Sequence, residues 1–275
     1  MNMTVIESFR KIPDFVDELL EYRDNYDEPT HFIDIIWNHD IKYPVCYGIV
    51  ILRHDCRDSP ASPIPRKSWF IDTVRMPPPF MYIAGVRPAG QSVTLAALLQ
   101  GIHFACFDAT AVTTAFRACF LMSDFDHLHD VQMQALGALG SRAPPLSEVR
   151  QQLSFVNILQ RMEFEKWPVT WDCFELSNAD AFIRVTGGPL VFIQRPMPNE
   201  VVNRYVAGIC HLVAIYKWHK ARIARFNLGP EAHARIRQLS RDRARQGCLV
   251  ALARGHRPLH ELPIVDLWDL YPNPQ

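Results

Sequence analysis

Apolar positions recur at a helical period through residues 5–26, at Ile12, Phe15, Val16, Leu19 and Leu20, with an acidic opposite face. Pro13 is tolerable near the start of such a helix. The period then changes. Residues 42–53 are rich in β-branched and aromatic side chains and predict a strand. Seven prolines between Arg57 and Pro88 predict a loop-rich stretch holding short strands near 69–74 and 80–84. Helices are expected at about 92–106 and 109–122.

Gly137, Gly140, Pro144 and Pro145 mark a break, and Ser147 is an N-cap candidate for a helix running to about Arg161. Strands are expected at 169–176, 182–185 and 190–194, the last two joined by a hairpin through Gly187 and Gly188. Val202, Tyr205, Val206, Ile209, Val213 and Tyr216 form one helical stripe. Pro230 opens another long helix, which Gly255 and Pro258 would stop after Arg254. The expected class is α+β, with mixed strands in the middle, helices at both ends and a helical carboxyl-terminal extension. The expected organisation is 1–140, then 146–228 as part of the same body, then a basic helix and tail over 229–275.

Formal net charge is zero over 275 residues, but the charge is divided. Residues 1–40 carry ten Asp/Glu against three Lys/Arg, and residues 217–257 carry eleven Lys/Arg against two Asp/Glu. A basic face made by Arg235, Arg237, Arg241, Arg243 and Arg245 is suited to nuclear targeting, nucleic-acid backbone or an acidic protein surface. Seven scattered cysteines with no secretory signal predict reduced thiols in the cytosol or nucleus. The longest apolar stretch, 201–216, is too short and too polar to span a bilayer, so no membrane partner is expected.

None of the motifs GxGxxG, GxxxxGK[ST], GxSxG or HExxH occurs, and from this the chain is expected not to be an enzyme and to need no cofactor. His103, Cys106, Cys119 and His127 are the weak candidates for a metal site, since zinc takes such ligands. No CxxC pair anchors them, so none is expected.

The tail carries Leu239-Ser240-Arg241, a helix to Arg254, then Leu259 and the run Leu262-Pro263-Ile264-Val265-Asp266-Leu267. This resembles the SOCS-box arrangement of cullin ubiquitin-ligase receptors. The resemblance implies Elongin B/C contact through Leu239, Ser240, Leu252 and Leu259, and cullin contact through Leu262, Pro263, Ile264 and Leu267. It departs from that pattern at Ser240 and Val265, where Cys and Pro are usual. The run Ala251–Leu259 after an arginine-rich helix is similar to the end of the adenovirus early-region-four thirty-four-kilodalton family, and the chain also resembles the avian adenovirus Gam protein. Together these imply a viral early adaptor in the host nucleus, with some in the cytoplasm, that recruits a host Elongin–cullin ligase to degrade a host protein, the SUMO-activating enzyme among the candidates. The alternative is a nuclear nucleic-acid-binding regulator that uses the basic helix.

Overall fold

The computed structural model describes residues 3–21, 28–37, 45–57, 66–76, 81, 84–86, 92–120, 122, 125, 127–134, 155–167, 188–225 and 230–252. The strands are β1 (Met3–Ile6), β2 (His31–Trp37), β3 (Cys46–Arg53), β4 (Lys67–Ile71), β5 (Ala84–Val86), β6 (Ser92–Thr94), β7 (Phe104–Cys106) and β8 (Leu128–Asp130). The helices are α1 (Ile12–Leu20), α2 (Leu95–Gly101), α3 (Ala109–Phe120), α4 (Phe155–Phe164), α5 (Asn199–Arg225) and α6 (Pro230–Leu252). The class is α+β with a helical carboxyl-terminal part.

Six strands make one mixed sheet in the order β1-β4-β3-β2-β7-β8. The middle, β4-β3-β2, is antiparallel; β1 joins β4 in parallel, and β7 and β8 continue from β2 in parallel. Strand β3 is buried at all eight positions, because helices cover both faces. Strand side chains alternate between faces, and the core sorts accordingly. Phe32, Val50, Leu52, Phe70 and Ala105 face the side of α5 and the start of α6. Ile33, Ile49, Ile51, Trp69, Ile71 and Phe104 pack with α1, α2 and α3. Gly48 is required in β3, since a Cβ there would collide with the Phe70 ring.

Helix α6 is part of this body and packs on α3 and β8. Its buried positions, Ile236, Leu239, Ser240, Ala244 and Gly247, recur every three or four residues and become small toward the carboxyl end. A Cβ at Gly247 would collide with Thr113 Oγ1 and the Thr110 carbonyl. The close approach lets Thr114 Oγ1 donate to the Gly247 carbonyl at 3.1 Å and Thr110 Oγ1 to the Arg243 carbonyl at 3.3 Å.

Several expectations are corrected. The helix expected over 92–106 is short strand β6, helix α2 capped by Thr94, and strand β7. The strand expected at 190–194 lies in a 3-10 helix, Gly188–Ile193. Helices α5 and α6 lie where the periodicity put them. The strands expected at 169–176 and 182–185 lie outside the described residues.

Candidate functional site: an arginine-closed acid cluster and a basic helix

Three carboxylates from separate segments gather around the end of β7. Asp34 is on β2, Asp108 lies two residues beyond β7, and Asp130 ends β8. Burial raises the Cys106 thiol well above its ordinary value, and the nearby Asp130, Asp108 and Asp34 carboxylates add to the rise, with Arg243 opposing. The sheet brings them together: β2, β7 and β8 run parallel, so their carboxyl ends point the same way.

Asp108 Oδ1 accepts from Ala111 N at 3.1 Å at the start of α3 and from Arg243 Nη2 at 2.7 Å. Asp130, wholly buried, accepts from Ala109 N at 3.1 Å and Gln132 N at 2.9 Å. Its own N–H donates to Ser240 Oγ at 3.0 Å. Arg243 Nε lies 2.8 Å from Asp130 Oδ2, and Nη2 also donates to Gln132 Oε1 at 3.0 Å. Burial raises the Asp130 carboxyl, while Arg243 and the two backbone N–H donors pull it down. The two carboxylates hold the Arg243 proton on more firmly than usual, against desolvation.

Asp34 accepts from Ile35 N at 2.8 Å, and burial raises its carboxyl while the Arg204 charge on α5 opposes this. A Cβ at Gly208 would sit 3.1 Å from Arg204 Nη1, so the glycine leaves the room in which that guanidinium lies. Each carboxylate of the cluster thus faces a guanidinium from a carboxyl-terminal helix. Arg243 occupies the space between Asp108 and Asp130 that a cation would need. Among the described residues no group of three or more His, Cys, Asp or Glu side chains could hold a metal ion.

The candidate ligands named from sequence are dispersed. Cys106 is buried on β7, Cys119 is half-buried on α3, and His127 is exposed before β8. His103 does approach a residue that sequence reasoning missed: its ring centroid is 6.3 Å from that of His129.

The basic helix divides into two faces. Arg237, Arg241 and Arg245 are exposed and lie four residues apart, which places them on one side of α6. Arg235 is half-buried. Arg243, expected on the same solvated face, instead points inward to the acid cluster. Leu239 and Ser240, expected to meet Elongin, are 4% and 0% exposed and face the body, Ser240 also donating to the Ile236 carbonyl at 2.9 Å. That burial removes them as docking anchors, because a partner could reach them only by lifting α6. The Leu252 side chain and residues Leu259, Leu262, Pro263, Ile264 and Leu267 lie outside what the structure describes.

No family model and no curated protein sequence matches the chain. Two solved structures of the catalytic core of RRP6 from Trypanosoma brucei, one a cysteine-to-serine mutant, are similar to it in fold. Each has a TM-score of 0.55 and 13% identity, covering 88% of this chain. The chain spans about half the length of those structures, 52%. This likeness overturns the expectation that the chain is not an enzyme, which rested on absent short motifs alone: its fold is similar to that of the catalytic core of RRP6. Short-motif scanning could not disclose the acid cluster, because Asp34, Asp108 and Asp130 come from separate segments with no fixed local spacing.

Proposed function

We propose that this chain engages nucleic acid, laying the outer face of α6 along a polynucleotide backbone. The observation that carries the reading is the exposed row Arg237, Arg241 and Arg245. Four residues advance a helix about 6 Å, so the row presents a line of separate guanidinium groups, each able to take a phosphate in bidentate fashion. The helix under them is held rigid by Arg243, Ser240 and the Gly247 contact with α3. The likeness to the catalytic core of RRP6 supports the same reading.

Phosphate contacts make binding salt-dependent in proportion to their number. Arg241→Ala and Arg245→Ala should each flatten the log-affinity against log-salt slope by about 0.7 on single-stranded RNA. The weakening should be similar for unrelated sequences, since phosphates carry none of the code. The slopes are read by fluorescence anisotropy at several salt concentrations. Unchanged slopes in both variants would refute the reading.

A second reading, recruitment of a host Elongin–cullin ligase by a viral early protein, rests on the resemblance of residues 259–267. One structural observation favours it: Leu249, near the end of α6 and leading to that tail, is 64% exposed. Leu259→Ala with Leu262→Ala should abolish co-purification of Elongin B/C from cells while the melting temperature stays at the parent's value. Retained co-purification sinks this version.

A further inference from the structure

A cleft of about 350 Å³ opens between the end of α5, the start of α6 and edge strand β8, with Arg237, the first of the exposed arginine row, among its lining residues. Its volume falls at the lower end of the range of small-ligand sites. One wall is apolar, made by Ile223, Ile236 and Pro29. The other carries the basic side chains Lys220, His233 and Arg237. Glu28 neutralises Lys220 at 2.8 Å. Among the described residues Arg237 has no ion pair, and it is exposed.

The floor is polar and incompletely satisfied. Gln134 is 4% exposed, and its Oε1 has no hydrogen-bond partner; the buried Nε2 of His129 has none either. A buried polar atom without a partner is costly and calls for an explanation. His129 also senses the local field. Burial pushes its imidazole down to about 3, and the positive charges of His103, His233 and Arg237 push the same way, with Gln134 opposing. Its ring stands edge-on to Tyr216 with centroids 5.4 Å apart.

We infer that this cleft binds a nucleoside phosphate, with the phosphate held by His233 and Arg237 and the ring system against the Ile223–Ile236 wall. A bare inorganic anion would satisfy the cations and leave the apolar wall wet. An apolar ligand would leave the charges and floor atoms unanswered. A ligand with a phosphate at one end and a flat, hydrogen-bonding ring at the other meets both, and its ring can reach Gln134 Oε1 and His129 Nε2. Arg237 is shared with the polynucleotide face, while His233, Gln134 and His129 belong to the cleft alone.

The test is calorimetric titration of the full chain with adenosine monophosphate, with adenosine and inorganic phosphate as separate probes. Saturable one-to-one binding is expected, with both fragments at least about tenfold weaker, and His233→Ala with Arg237→Ala should weaken the nucleotide by about tenfold or more. In the parent, the His129 ring resonances should move as the nucleotide saturates. A phosphorylated oligonucleotide that displaces the nucleotide, when its hydroxyl-ended counterpart does not, would assign the site to strand ends; no displacement would assign it to free nucleotides. The inference is overturned if adenosine monophosphate binds no better than phosphate, if the double variant binds as the parent does, or if the His129 resonances stay fixed. His233→Ala alone leaves the whole arginine row in place and should weaken the nucleotide without changing the polynucleotide salt slope, so loss of the cleft and loss of the polynucleotide face are separable results.

Discussion

Arg243→Ala should destabilise the chain by about 3–5 kcal/mol, the loss expected when one partner of a buried ion pair is removed and the other charge stays buried. Asp130 has no exposed side-chain surface, and Arg243 only 17%, so solvent cannot replace the guanidinium. Three acceptors lose it at once: Asp108, Asp130 and Gln132. The damage should also be directional. Arg243 ties α6 to the β7–α3 turn and to the end of β8, so α6 should lose amide protection before the strands do. Arg243→Lys should recover only part, because a compact ammonium cannot serve three acceptors spread over a planar fork. A double change that removes the charges together, Arg243→Met with Asp130→Asn, should be milder than the single alanine. Urea unfolding of the four proteins checks the order. An Arg243→Ala protein within about 1 kcal/mol of the parent would mean that solvent reaches the acid cluster freely, as at an exposed ion pair.

How far the sequence disclosed this arrangement depended on the kind of signal each element carries. The helical stripes of α1 and α5 were legible because large apolar side chains repeat at the helical period, as in Ile12, Phe15, Val16 and Leu19. Strand β2 was not foreseen, although it is the centre of the sheet. Its run His31–Trp37 is buried on both faces, so it lacks alternation, and Asp34 interrupts it. Strand β7 has three residues directly after a helix, too few for any period. The inner face of α6 was hidden for another reason. Its contact residues Ser240, Ala244 and Gly247 are small or polar, and hydrophobicity cannot mark a face whose value lies in close approach. Arg243 therefore read as one more surface arginine between Arg241 and Arg245. The helical step of about 100° per residue turns it roughly 200° from Arg241, to the opposite side. The carboxylates it meets are more than a hundred residues away in sequence, and only the parallel β2-β7-β8 order brings them together.

Acidification should unfold the chain cooperatively between about pH 6 and 4, because three histidines, His31, His211 and His219, are buried in their neutral form and a fourth, His129, is half-buried. Burial pushes His31, His129 and His219 down to about 3 and His211 to about 4. Positive neighbours add to this: Arg53 for His31, Arg222 and Arg161 for His219, and Arg204 for His211. Each folded value lies below the unfolded one of about 6.5, so the unfolded chain takes up the proton first. Stability is then complete above pH 6.5 and drains as pH falls toward the folded values. At pH 5 each histidine should favour the unfolded chain by about 2 kcal/mol, and four together rival the entire stability of an ordinary domain. Two carboxyls work in the opposite sense. Burial raises the Asp34 and Asp130 carboxyls above their ordinary values, so their protonation assists the folded state over part of the same window. They are outnumbered, and the Arg243 charge resists protonation of Asp130. His219 gives the sharpest check. It is 3% exposed, and neither ring nitrogen has a hydrogen-bond partner among the described residues. His219→Met should keep the packing of α5, leave stability at pH 7.5 within about 1.5 kcal/mol of the parent, and move the acid midpoint downward. Tryptophan fluorescence followed from pH 8 to 3 gives both midpoints. A parent that stays native to pH 4, or a His219→Met midpoint equal to the parent's, would show that these imidazoles reach water or an acceptor in the folded chain.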